Sequence, residues 1–189
     1  MIKRDYYLNR LIHNMWNGEI KVITGIRRCG KSVLLFDLFY EYLLLQDVKE
    51  EQIIRLELDQ RKYYKYRNPI TLCDYIDSIV NSKKNERFYL FVDEVQFTIK
   101  VKDEENGGIE VTIYDMLNEL KSYKNLDVYV TGSNSKMLSK DIATEFRGRA
   151  TQIHVYPLSF DEFYSHIGGE KRTAFDQYML YGGMPRILA

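Results

Sequence analysis

The sequence predicts an α/β protein, a three-layer sandwich in which helices cover both faces of a mainly parallel five-stranded sheet. Three observations carry that expectation. Five short apolar or β-branched runs alternate with helix-period segments along the 189 residues. One run, Phe88 to Val92 (FYLFV), is apolar throughout, as a strand buried on both faces requires. Polar and glycine-rich clusters follow these runs, at the strand ends where open parallel sheets bind ligands.

Asp5 to Trp16 has helical period, with Tyr7, Leu8, Leu11, Ile12 and Met15 on one face, and Asn17-Gly18 closes it. Ile20 to Thr24 is a β-branched strand running straight into Gly25. Lys31 to Leu45 is a helix whose apolar residues nearly encircle it, apart from Asp37 and Glu41, so it packs on a sheet and on a further element. Ile53 to Leu58 is a second strand, and Asp59 to Arg67 (DQRKYYKYR) reads as a basic, tyrosine-rich loop. Asn68-Pro69 starts the next helix as N-cap and N1, with Leu72, Ile76, Ile79 and Val80 facing inward. After the third strand, residues 97–114 depart from the scheme. Phe97, Ile99 and Val101 alternate with polar residues, as do Ile109, Val111 and Ile113 beyond Gly107-Gly108, predicting an inserted β-hairpin. A helix to about Tyr123, the strand Val128 to Thr131, a helix near Ser139 to Glu145 and the strand Gln152 to Tyr156 complete a core over residues 1–158. Residues 159–189 hold two short helices split by Gly168-Gly169.

Composition bounds the functional class. Twenty-seven Lys and Arg balance 27 Asp and Glu, so no global basic field supports nucleic-acid binding. Cys29 and Cys73 are too few and too isolated for a disulfide framework or a zinc site, and the histidines at 13, 154 and 166 lack ligand spacing. The strongest apolar run, Val33 to Leu45, is interrupted by charge and too short to span a bilayer, so a cytoplasmic protein without a membrane partner is expected.

Between the first strand and its helix stands Gly25-Ile26-Arg27-Arg28-Cys29-Gly30-Lys31-Ser32, a full match to G-x-x-x-x-G-K-[ST]. Its glycines let backbone N–H groups wrap a polyphosphate. Lys31 supplies an ammonium to the β- and γ-phosphates, and the Ser32 hydroxyl suits Mg²⁺. Residues Gly25 to Val33 are therefore the expected nucleotide cradle. The third strand ends in Asp93-Glu94: Asp93 is placed to hold the metal, and Glu94 to orient or deprotonate an attacking water. That tandem acid favours hydrolysis over transfer to an acceptor. The fourth strand ends Thr131-Gly132-Ser133-Asn134, where a short polar side chain could position the water or simply cap a turn. Arg147 and Arg149 offer guanidinium forks suited to γ-phosphate, or two solvated charges, and Arg186 is a similar but weaker case. Arg27 and Arg28 read as exposed loop charge. The basic loop Arg61 to Arg67 could stack on single-stranded nucleic acid, but more plainly is a solvated connection.

With these residues in hand, the chain resembles the AAA-type ATPases of bacteria and archaea. More narrowly, it is similar to the prokaryotic group marked by a GxRRxGKS loop. The matching marks are the loop itself, VDEVQ at Val92 to Gln96, VTGSNSKMLS at Val130 to Ser139, FRGR at Phe146 to Arg149, YPLSFDEF at Tyr156 to Phe163 and YGGMPRIL at Tyr181 to Leu188. The resemblance implies a sheet order of 5-1-4-3-2 and ATP with Mg²⁺ as ligands. It implies Ser133 or Asn134 as a first sensor, and Arg149 (or Arg147) as an arginine finger acting on a neighbouring subunit of a homo-oligomer. Arg186 would fall where a helical lid carries a second sensor, with residues 159–189 the beginning of that lid, truncated. Members of the group continue into a nuclease-like C-terminal region that these residues do not include. The expected function is Mg²⁺-dependent ATP hydrolysis coupled to that effector. The alternative is an ATP-operated switch with little hydrolysis of its own.

Overall fold

The computed structural model describes residues 2–133 and 150–188. Among the described residues, seven strands form two sheets: β1 (Ile20–Thr24), β2 (Ile53–Glu57), β3 (Phe88–Asp93), β6 (Leu126–Gly132) and β7 (Ala150–His154) in one, and β4 (Val101–Asp103) with β5 (Ile109–Val111) in the other. The large sheet has the order β2-β3-β6-β1-β7, with all four pairings parallel. Counting its five strands along the chain, this is the expected 5-1-4-3-2.

Period-two alternation divides the apolar residues of the central strands between two cores. Phe88, Leu90 and Val92 of β3, with Val128 and Val130 of β6, pack against α3 (Pro69–Val80) and α4 (Ile113–Leu120). Tyr89 and Phe91, with Tyr129, point the other way, onto α1 (Asp5–His13) and α2 (residues 31–45). The same alternation continues to the strand ends, so Asp93 and Thr131 emerge on the α2 face. That placement builds the site.

Helix α2 is continuous but changes pitch: Lys31–Val33 is α-helical, Leu34–Phe39 is a π-type segment, and Tyr40–Leu45 is α-helical again. Both Phe36 and Phe39 reach Phe91, with ring centroids 5.8 and 5.7 Å apart, and Phe39 also meets Tyr129 at 4.9 Å. Phe39 is wholly buried, which stabilises the fold by about 1.5–3 kcal/mol.

Several boundaries differ from the sequence expectation. Helix α1 stops at His13 rather than Trp16, because Trp16 adopts a left-handed φ of 57° and donates its N–H to Asp127 Oδ2 at 3.0 Å. Arg61–Arg67 is a 3₁₀ segment rather than an open loop; Tyr66 is buried against Tyr75 (4.7 Å), which pulls the backbone into a helical turn. The hairpin is shorter than residues 97–114, since Val95–Phe97 forms a 3₁₀ turn and Thr112 caps α4 through a capping box with Asp115. Its register pairs Lys102 with Glu110, and Lys100 bridges to Glu110 at 2.9 Å. Strand β7 lies two residues earlier than expected, Ala150 pairing with Ile20. Asn68 caps α3 as expected, accepting from Ile70 N and Thr71 N. Helices α5 (Phe160–Ile167) and α6 (Lys171–Tyr181) follow β7, joined through Gly168-Gly169. The helix expected near Ser139 to Glu145 lies outside the described residues.

Candidate nucleotide site

Gly25 ends β1 at φ 150°, and a Cβ there would lie 2.3 Å from Val155 O and 2.8 Å from Cys29 Sγ. No side chain fits, so the turn into the loop requires glycine. Arg28 (φ 69°) and Gly30 (φ 98°) are also left-handed, which curls residues 25–30 into a cup before α2 begins. Ile26, Arg27 and Arg28 are exposed, as expected of Arg27 and Arg28, whereas Cys29 is fully buried; burial pushes its thiol pKa up. Lys31 is only 4% exposed. Its Nζ donates to Gly25 O and Ile26 O, both at 3.1 Å, so the ammonium lies across the cup. Val33, on the first turn of α2, is exposed.

Ser32 and Asp93 meet as the topology demands: Ser32 Oγ donates to Asp93 Oδ2 at 2.7 Å. The other carboxylate oxygen, Oδ1, is hydrogen-bonded by the Thr131 hydroxyl. Asp93 is 4% exposed, and burial raises its pKa above the ordinary carboxylate range although both hydroxyls favour the ionised form. A hydroxyl and a carboxylate are hard oxygen donors, the set that suits Mg²⁺; the residues present fit that ion.

Glu94 takes a left-handed conformation (φ 56°), unusual for a residue with a side chain. Its N–H donates to Thr131 Oγ1 at 3.2 Å. Its Oε2 accepts from Ser133 N at 3.2 Å and from the Gln96 amide. Gln96 Nε2 also reaches Ser133 Oγ at 2.9 Å, while Gln96 Oε1 is buried without a hydrogen-bond partner. The strained backbone thus turns Glu94 out of the β3 line towards the end of β6. Ser133 and Glu94 are brought together.

Asn134, Arg147 and Arg149 lie outside the described residues. Arg186 is exposed on the 3₁₀ turn Pro185–Leu188. In the Arg61–Arg67 segment, the Arg67 guanidinium lies over Tyr64 (3.9 Å) and Phe97 (4.8 Å) while Nε donates to Leu58 O, a structural use of the charge. His154 Nδ1 sits 3.0 Å from Thr24 Oγ1. Away from the loop, Cys73, Asp77 and Glu119 bring three ligand-type atoms within 4.8 Å of one another. Burial pushes the Cys73 thiol up to about 12, which keeps it protonated.

Three site residues escape sequence reasoning. Thr131 is one polar position in a strand, and only the alternation shared with Asp93 shows where it points. Gln96 stands within a turn whose shape follows from the left-handed Glu94. Arg4 lies 25 residues before Cys29 yet donates to its carbonyl at 3.0 Å. No local pattern announces that contact.

A phosphate-type loop at the carboxyl end of β1, facing an acidic strand end in a 5-1-4-3-2 parallel sheet, defines a P-loop ATPase-like fold. Residues 17–164 match the AAA domain family, and the chain belongs to that family. An uncharacterized protein of Haemophilus influenzae is 33% identical over 193 residues, covering 100% of this chain and 45% of its own length. An uncharacterized protein of Methanocaldococcus jannaschii is 29% identical over 203 residues, covering 99% of this chain and 39% of its own. The chain thus spans less than half the length of these relatives. Among solved structures, a Walker-type ATPase of Pyrococcus abyssi superposes with a TM-score of 0.60 at 16% identity, covering 98% of this chain and 65% of that one. The ORC2 protein of Aeropyrum pernix, solved with ADPNP and ADP, gives 0.53 at 15% identity, covering 89% and 49%. These likenesses establish the fold. Among the described residues no helix is long and apolar enough to cross a membrane.

Proposed function

We propose that the chain is a cytoplasmic ATPase module of the GxRRxGKS group of AAA proteins, hydrolysing ATP in the presence of Mg²⁺. The Ser32–Asp93 bond carries the reading, because it joins the phosphate loop to the acidic strand end with Glu94 alongside. Gly25 to Val33 bind the polyphosphate, and Lys31 exchanges its loop carbonyls for β- and γ-phosphate oxygens. Mg²⁺, held by Ser32 and Asp93, would offset the negative charge of the transferring phosphoryl group. Glu94 takes a proton from the attacking water, and Ser133, with Asn134 beside it, orients Glu94 and the water. Arg149 of a neighbouring copy in a homo-oligomer supplies the remaining positive charge. Residues 159–189 form the start of a helical lid, and hydrolysis drives a C-terminal effector. ADP and phosphate are the products.

Glu94→Gln should keep ATP affinity and lower kcat by about 10²–10⁴-fold. Lys31→Ala should lose ATP in a calorimetric titration. Wild-type turnover in the first variant, or wild-type binding in the second, overturns the assignment.

The grip of Gln96 and Ser133 on Glu94 favours a second reading, a switch in which ATP binding orders a surface and hydrolysis is slow. Specific activity that rises with protein concentration supports the ATPase with a finger in trans; a flat, negligible rate with tight ATP binding supports the switch.

A further inference from the structure

Arg4 precedes α1, is 4% exposed, and spends its guanidinium on main-chain carbonyls at two distant places. Nη1 donates to Cys29 O at 3.0 Å, and Nη2 donates to Tyr156 O at 2.7 Å. Nε lies 2.9 Å from Glu162 Oε1 of α5, a charge contact outside hydrogen-bond alignment, and the group stacks over the Tyr7 ring at 4.6 Å. Four contacts fix one buried cation. Burying a guanidinium costs several kcal/mol unless its charge and donors are matched; here the two carbonyl bonds orient the group, and the Glu162 contact, outside hydrogen-bond alignment, adds charge balance.

The contact with Cys29 has a geometric consequence. In a trans peptide the C=O and the following N–H point in opposite directions, and the described chain has no cis peptide bond. Pinning Cys29 O on the guanidinium therefore turns the Gly30 N–H to the far side of the peptide plane. Gly30 makes this possible through its φ of 98°, a conformation that L side chains rarely adopt. We propose that Arg4 is a positioning residue for the phosphate loop, holding the Cys29–Gly30 peptide so that the Gly30 N–H is presented to the diphosphate of a bound nucleotide. The proposal rests on the nucleotide-binding reading above. Arg4 touches no phosphate itself; it acts through the peptide. Because it also grips Tyr156 O and Glu162, it ties the loop to the segment after β7 and to α5.

The test titrates ADP by calorimetry into wild type, Arg4→Lys, Arg4→Gln and Glu162→Gln, and follows the Gly30 amide resonance by NMR in each. Lysine keeps the charge but cannot span both carbonyls. Arg4→Lys and Arg4→Gln should weaken ADP by about tenfold, the loss of one charge-assisted hydrogen bond's worth of organisation. They should also diminish the shift of the Gly30 amide on ADP binding. Glu162→Gln keeps both carbonyl bonds and should leave the ADP affinity within about twofold, whatever it does to Tm. Unchanged ADP affinity in a folded Arg4→Lys protein overturns the role, as does a Gly30 shift that persists undiminished. Equal weakening by Glu162→Gln also overturns it, since the effect would then belong to the anchoring of α5. A wild type that does not bind ADP removes the parent reading as well, which separates the two failures.

Discussion

Ser32 Oγ donates to Asp93 Oδ2 at 2.7 Å, a bond between residues 61 apart in sequence. It exists because alternation along β3 sends Asp93 to the α2 face, where the first turn of α2 delivers Ser32. The loop and the strand end are thus assembled by the fold itself, through the parallel pairings that set β3 beside β6 and β6 beside β1.

The first prediction concerns what that assembly costs. Burial raises the Asp93 pKa in the folded protein, so its contribution to stability is fully present below the unfolded carboxylate pKa and is lost as pH rises through the folded value. Asp93→Asn removes the titration. Without Mg²⁺ or nucleotide, the variant should be more stable than wild type at pH 7, with the gap closing towards pH 3. Denaturant melts across that range check it, and a gap independent of pH refutes it. The same variant should lose the Mg²⁺ dependence of nucleotide binding.

Gln96 offers a second test. Its amide donates to Glu94 Oε2 and to Ser133 Oγ. Gln96→Glu would replace the donor by a second carboxylate, and like charges at such a distance disfavour each other's ionisation. The acid limb of the kcat–pH profile should move upward and kcat at pH 7 should fall, with ATP affinity little changed. An unmoved acid limb would detach Gln96 from the chemistry of Glu94.

Much of this is legible in the sequence. The glycine spacing of the loop, the apolar run of β3 and the acids after it are local signals, and the sheet order followed from the resemblance they support. What escaped was long-range. Thr131 matters through its register beside Asp93, Arg4 through a contact with Cys29 that no sequence window contains, and Gln96 through the left-handed backbone at Glu94. The hairpin was overextended because the alternation of Phe97, Ile99 and Ile113 matches strand period, while Thr112 in fact caps a helix and Phe97 closes a 3₁₀ turn over Arg67. Local alternation lost to capping. Likewise Arg61–Arg67 reads as a solvated connection, but Tyr66 is spent on the core and Tyr64 on Arg67.

Gly25→Ala should be the most damaging small substitution in the loop. The new methyl would stand 2.3 Å from Val155 O, a main-chain atom of the residue whose N–H donates to Thr24 O. Either the loop or the start of the β7 exit must move. The expected result is a loss of about 2–4 kcal/mol in stability, within the range of strained backbone and overpacking changes, together with loss of nucleotide binding. Thermal melts with and without ADP measure both.

At the opposite end of the sheet, Lys21 and Asp127 form a buried ion pair between β1 and β6. Lys21 is wholly buried, and that burial lowers its pKa while Asp127 opposes the shift. The pair is supported: Asp127 Oδ2 also accepts from Tyr129 OH at 2.8 Å and from Trp16 N at 3.0 Å, which fixes the chain between α1 and β1. Lys21→Met would keep the stem's packing and strand the carboxylate, so the loss at pH 7 should be about 3–5 kcal/mol. An uncompensated buried carboxylate has a raised pKa, so the deficit should shrink as pH falls and the carboxyl is protonated. Adding Asp127→Asn, which removes the charge but can still accept from Trp16, should recover part of the stability at pH 7 and abolish its pH dependence. If the double variant is instead as unstable as the two single losses added together, the two residues act independently, and the ion pair contributes nothing beyond its separate hydrogen bonds.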